Sequence, residues 1–220
     1  MSERGGGNDE AERLPFAALD LEGAGCPAWA VDPATRRIVV ANAAALDLWS
    51  ASTLQELSAT PMPEVVGGVP LATLVSTGGV LVKVEPRLHD AEALRPVDCL
   101  VVPVRVPQGR LLVFEALGLR GEFITLFDGA TGALIARNTL AGHAHRRDET
   151  HYLDHFADGP TGERLWRAVA SIGVAGLDDG LKWRSATAAS LEVRFAERNI
   201  WCEINLRAVR HLGGLSVVLE

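Results

Sequence analysis

One segment near the start of the chain returns without a gap 96 residues later. Val31-Asp-Pro-Ala-Thr-Arg-Arg-Ile-Val-Val-Ala-Asn42 aligns with Phe127-Asp-Gly-Ala-Thr-Gly-Ala-Leu-Ile-Ala-Arg-Asn138, so Asp32, Ala34, Thr35 and Asn42 fall on Asp128, Ala130, Thr131 and Asn138. The closing segments repeat as well. Val104-Arg105, Gly109 and Leu111–Glu115 are echoed by Val209-Arg210, Gly214 and Ser216–Glu220. Self-similarity at both ends of two halves constrains the chain to two tandem copies of one unit. The length of 220 residues suits that reading, because two domains of about 100 residues are of ordinary size.

Each copy opens as strand, turn and strand. Trp29–Val31 is apolar, Asp32-Pro33-Ala34-Thr35 has turn chemistry, and Ile38–Val40 is β-branched. Asn42 then stands where a helix N-cap belongs, ahead of the alanine-rich run Ala43–Trp49, in which Leu46 and Trp49 share a face. Ser52 to Gln55 has the spacing of a capping box for a second short helix through Leu54 and Leu57. Pro61–Pro63, Gly67-Gly68 and Gly78-Gly79 leave little room for a long helix in the first copy. Val65–Val75 is therefore expected as a short helix or a loop, with any pocket there small or filled.

The copies close on antiparallel strands. Val97–Val106 and Leu111–Leu117 flank a Pro-Gln-Gly-Arg turn. Leu191, Val193 and Phe195 alternate with Glu192 and Arg194, the period-two pattern of a half-buried strand. Beyond an Ala196–Asn199 turn, Cys202, Ile204 and Leu206 share one face, and Trp201, Glu203, Asn205 and Arg207 share the other; Leu215–Leu219 completes the meander. Pro160 opens a helix whose Leu165, Trp166, Val169 and Ile172 form an apolar stripe. The expected fold class is α+β: two units, each an antiparallel sheet of about five strands with helices on one face.

This order of elements, with Val31-Asp32, Val40-Ala41-Asn42-Ala43-Ala44 and the Ser52–Leu57 helix start, resembles the PAS family. The second copy keeps Phe127-Asp128 and Asn138 but continues as Thr139-Leu140-Ala141-Gly142-His143, a poorer helix start. The resemblance implies a leader over residues 1–23, a first PAS-like domain over 24–117 and a second over 118–220. It also implies a sensory or regulatory role, with helices closing over one sheet face, often around a small ligand, and coupling to an output domain. A histidine kinase of a two-component system is the expected output. A ligand-free dimerisation or protein-docking module is the alternative, as is the sensory region of a cyclic-dinucleotide-metabolising enzyme.

Composition narrows the classes. A net charge of −7 argues against a general affinity for nucleic acid or anionic lipid. The longest apolar runs fall far short of the roughly 20 residues of a membrane span, and Met1–Glu12 has no apolar signal region. Cys26, Cys99 and Cys202 form neither an even set nor a CxxC pair, which fits a reduced, cytoplasmic setting. GxSxG, HExxH, P-loop and GxGxxG patterns are lacking, so no catalytic role is expected.

Site candidates are few. His143, His145, His151, His155 and His211 cluster in the second copy, and His151 and His155 would share a helix face and could ligate haem iron. Arg146-Arg147-Asp148-Glu149 and Asp154 instead mark that segment as solvated and polar, and no metal site is expected. His155 and Trp166 are the pocket candidates, with the second copy the expected ligand holder. Flavin photochemistry would need a cysteine in an Asn-Cys-Arg-Phe context, which none of the three has; non-covalent flavin stays open, with Trp29 and Trp49 read foremost as core. Trp201 is placed by alternation on the outer sheet face, as an interface residue for a flanking helix or partner subunit. Phe16 and Leu19 are expected in a short cap over the first sheet, after Pro15. The expected partners are a second copy, another signalling protein, or a small-molecule ligand.

Overall fold

A computed structural model describes residues 19–86, 96–117, 119, 123–138, 159–171, 174–177, 182–184, 189–195, 200–211 and 214–219. The first strands are β1 (Ala28–Asp32) and β2 (Arg37–Ala41), paired antiparallel around the Asp32 turn. The turn closes through its own side chains. Asp32 accepts from the Ala34 N–H at 3.0 Å and from the Thr35 hydroxyl at 2.7 Å. Arg36 takes a positive φ of 60° to finish the reversal.

Helices α1 (Ala43–Leu48) and α2 (Leu54–Ala59) follow, each with a side-chain N-cap. Asn42 caps α1. The cap of α2 is Thr53 rather than Ser52: Thr53 Oγ1 accepts from the Glu56 N–H at 3.1 Å, and Glu56 reaches back to the Ser52 N–H at 2.8 Å. The box has slipped one residue from the expected Ser52–Gln55 pair, because a start at Leu54 buries Leu57 and Ser58 against the sheet. The Ser58 hydroxyl then donates to the Ile38 carbonyl of β2.

The segment expected as short helix or loop is both hairpin and helix. β3 (Val65–Val66) pairs with β4 (Val69–Pro70) across Gly67 and Gly68, both at positive φ, and α3 (Leu71–Leu74) follows. These pieces carry the chain across one face to β5 (Val80–Val84), which the sequence pattern did not mark. β6 (Val97–Val106) and β7 (Gly109–Leu117) complete a five-stranded antiparallel sheet of order β2-β1-β7-β6-β5.

The second half repeats that path. β8 (Thr125–Asp128) and β9 (Leu134–Arg137) pair antiparallel around the Asp128 turn. Helix α4 (Gly159–Ser171), β10 (Val174–Leu177) and β11 (Trp183–Arg184) intervene. β12 (Ala189–Phe195), β13 (Ile200–His211) and β14 (Gly214–Leu219) close it. Within the sheet, β9-β8-β14-β13-β12 has the same order as the first five strands.

Two features depart from the expected five antiparallel strands. The second sheet has seven strands, and β10 lies parallel to β13. The cause is the length of β13. Its residues Ile200–Leu206 pair with β12, which leaves Ala208 and Val209 beyond the end of β12 to pair with β10. Both closing hairpins turn at a glycine with matching backbone, Gly109 at φ 145° and Gly214 at φ 141°. Among the described residues no helix is long and apolar enough to cross a membrane.

The first sheet is buried on both faces. Trp29, Val31, Ile38, Val82, Val84, Cys99, Val101, Leu112 and Phe114 face the helices and form one core with Ala45, Trp49, Leu57 and Leu74. The alternate residues Ala28, Ala30, Leu100, Val102, Leu111 and Val113 form a second core with Ile124, Leu126, Val209 and Val218 of the other sheet. Leu19 and Leu21, just before β1, are buried in that same inter-sheet core. Burying the opposite face of a strand is what makes β6 and β7 read as near-continuous apolar runs rather than alternating ones.

Candidate functional site

Three constructions combine polar groups with burial: an asparagine clamp in each half, an ion pair between the sheets, and a cavity under the helices of the first half. Asn42 is 3% exposed. Its Oδ1 accepts from the Ala28 N–H at 3.0 Å and the Ala45 N–H at 2.9 Å, while Nδ2 donates to the Cys26 carbonyl at 2.9 Å. One side chain thus fixes the start of β1 and the start of α1. Asn138 stands at the corresponding place of the second half. Its Oδ1 accepts from the Ile124 N–H at 3.2 Å, the counterpart of Ala28, but its Nδ2 donates to Asp98 Oδ2 of the first sheet at 3.1 Å. Asp128 repeats the Asp32 turn, accepting from the Ala130 N–H at 3.0 Å and the Thr131 hydroxyl at 2.8 Å.

Between the sheets lies Glu115, fully buried on β7. Its Oε1 accepts from the Trp183 indole N–H at 2.8 Å, and Oε2 pairs with the Arg207 guanidinium at 2.7 Å. Arg207 also comes within 3.8 Å of Cys26 Sγ. A carboxylate taken out of water costs several kcal/mol unless both oxygens are met, and here both are. Trp183 is held in turn by its own N–H to the Asp20 carbonyl at 2.7 Å, and Gly23 passes so close that a Cβ there would lie 2.6 Å from the Trp183 carbonyl oxygen. The leader, both sheets and β11 therefore meet at one polar point in an otherwise apolar interface.

The cavity has a volume of about 530 Å³. Ile38, Trp49, Leu57, Met62, Val66 and Val84 give it apolar walls, and Lys83 and Glu85 of the β5 edge border it. Trp49 stands edge-on to Trp29 with ring centroids 5.6 Å apart, and Trp29 stacks on Phe114 at 5.4 Å. Neither indole N–H has a hydrogen-bond acceptor among the described residues, although both are buried. A buried indole donor ordinarily has a partner. The described lining contains neither histidine nor cysteine, and Met62 is its one sulfur-bearing side chain. Cys99, in the wall behind Phe114, is held well above the ordinary thiol range by burial first and by neighbouring Asp98 and Cys26 next.

The sequence candidates fall as follows. The first half, expected to have a small or filled pocket, contains the described cavity, which the β3–β4 hairpin lines through Val65, Val66 and Gly67. His143, His145, His151, His155 and Phe16 lie outside the described residues. Trp166 is within α4, and Trp201 on β13 pairs with Arg194 of β12, but their side chains are outside the described ones. The sheet face assigned to Trp201 is not simply an outer face. Farther along it, Arg207 and Val209 are covered by the first sheet, while Glu203 and Asn205 are exposed. Leu19 is buried in the inter-sheet core, so it caps both sheets.

Sequence reasoning missed Glu115, Trp183 and Arg207 as a set. Glu115 sits in Leu111–Leu117, where every neighbour is apolar, and a lone carboxylate inside a buried run was the available signal.

No family model matches the chain, and no curated protein matches it. Among solved structures, the crystal structure of the E. coli DhaR(N)-DhaL complex is similar at 13% identity and a TM-score of 0.25, covering 88% of this chain and 78% of that one. A likeness that distant carries no argument about fold or activity.

Proposed function

We propose that the chain is a non-catalytic sensory or regulatory region of an intracellular signal-transduction protein. In this reading it is built as two PAS-like domains over residues 24–117 and 118–220. The repeated five-strand path, with an Asp turn and an Asn clamp at the same point of each copy, is the observation that supports it most. The cavity beside Trp49 holds the signal, a small molecule with an apolar body that suits the Ile38, Leu57, Met62, Val66 and Val84 walls. Occupancy shifts the balance between two arrangements of the module, which an output domain such as a histidine kinase reads. Mass spectrometry of protein denatured after purification tests this: a small molecule released from the wild type and lost from a Val66→Trp variant is the expected result. Wild-type protein that releases nothing, and that fails to bind added apolar ketones, contradicts it.

A docking or dimerisation module is the second reading. It is favoured by Leu119, Phe123 and Ile135, large apolar side chains that are exposed in and after the connection between the sheets. Sedimentation of the wild type against Phe123→Ser separates the two readings, since only docking between copies predicts a fall in mass.

A further inference from the structure

We infer that β5 couples the cavity to the second half through a relay of Lys83, Asp98 and Asn138. The inference rests on the reading of the cavity as a ligand site. β5 is the outermost strand of its sheet, bonded along one edge to β6. Its two faces look at different things. Val82 and Val84 belong to the core under the helices, and Val84 borders the cavity. Leu81 packs against the inter-sheet core, and Lys83 follows it on that side, with its ammonium 2.9 Å from Asp98 Oδ1.

Asp98 Oδ2 accepts from Asn138 Nδ2 at 3.1 Å, and Asn138 Oδ1 holds the Ile124 N–H at the start of β8. The orientation of the Asn138 amide is fixed chemically: the end facing a backbone N–H must be oxygen, which leaves the NH₂ end for the carboxylate. The carboxylate of Asp98 is thus shared between the strand that walls the cavity and the clamp that starts the second sheet. Close packing adds to this coupling, because Gly79, just before β5, admits Ser216 of β14 so near that a Cβ there would lie 2.9 Å from its hydroxyl. A displacement of β5 by an occupant moves Lys83, loosens its hold on Asp98 and reaches Ile124. The Lys83 side chain is about half exposed, at 49%, so the effect on affinity is modest.

The probe for the test is the neutral naphthyl ketone Prodan, with nuclear magnetic resonance of the Trp49 indole N–H, the Ile124 amide and the Asn138 side-chain NH₂. In the wild type, Prodan is expected to move all three. In Asp98→Ala and Asp98→Val it should still move Trp49, while the Ile124 shift falls below about a third of its wild-type size. Reciprocity requires the Prodan affinity of Asp98→Ala to differ from wild type by about two- to fivefold. Trp49 moving while Ile124 stays still in the wild type overturns the relay, and so does an Ile124 shift of full size in both variants. If Trp49 does not respond, the ligand reading of the cavity fails by itself. Val65→Trp, which adds bulk at the cavity wall, then tests the relay alone: it should shift Ile124 in an otherwise wild-type chain and not in Asp98→Ala, and no shift in either, or equal shifts in both, overturns it.

Discussion

The two halves use one asparagine for different ends. In the first, Asn42 spends all three of its hydrogen bonds locally, on the residue before the sheet, on β1 and on α1. In the second, Asn138 keeps the bond to the start of β8 and sends its amide group across to Asp98 of the first sheet. The first asparagine therefore works within its own half, and the second also ties its half to the neighbouring sheet. A repeated fold can add couplings: the second asparagine keeps its hold on the start of the sheet and also reaches the neighbouring sheet.

Ways to break that comparison can be ranked by expected effect. The largest is at Glu115. Glu115→Ala should cost about 3–5 kcal/mol of stability, because Arg207 and the Trp183 indole would be left buried without it. A Glu115→Leu, Arg207→Met pair should recover only part of that loss, since an apolar replacement of a buried ion pair is often neutral but the Trp183 indole N–H stays without its acceptor. Urea unfolding of the two variants against the wild type reads both numbers, and a loss under about 1 kcal/mol for Glu115→Ala would show the pair to be solvated.

The asparagines come next. Asn42→Ala strands the buried Ala28 N–H and leaves the Ala45 N–H only the Asn42 carbonyl, and should cost about 2–3 kcal/mol, whereas Asn138→Ala strands the Ile124 N–H and should cost about 2 kcal/mol. The sharper outcome is spatial. Hydrogen exchange should rise in β1 and α1 for the first variant, and in β8 and at the Asp98 end of β6 for the second. Equal patterns in the two would erase the distinction.

The smallest effect should also be the most symmetric. Gly109→Ala and Gly214→Ala each place a side chain at positive φ in open space, so strain alone acts, at about 1 kcal/mol apiece by thermal unfolding. Unequal costs would separate the two closing hairpins that the repeat makes equivalent.

What could be read from residue order was whatever depended on near neighbours. The Asp32 and Asp128 turns close within three residues, Asn42 caps a helix three residues on, and the closing hairpins pair across a single turn. Distance in the chain is what hid the rest. Glu115 meets Arg207 92 residues away, and Trp183 68 residues away, so no local pattern could join them. The α2 cap shows a subtler limit: Ser52-Thr53-Leu54-Gln55-Glu56 holds two overlapping capping boxes, and tertiary burial of Leu57 and Ser58 selected the second. β5 was overlooked because five residues after a glycine pair give too little period to read, yet it is the strand that borders the cavity.

The central claim is that occupancy of the first half is felt in the second. Hydrogen exchange across the whole chain, with and without saturating Prodan, tests it most directly. Altered protection in β8 and β14 together with the cavity walls is the predicted result. Changes confined to residues 38–85 would contradict it.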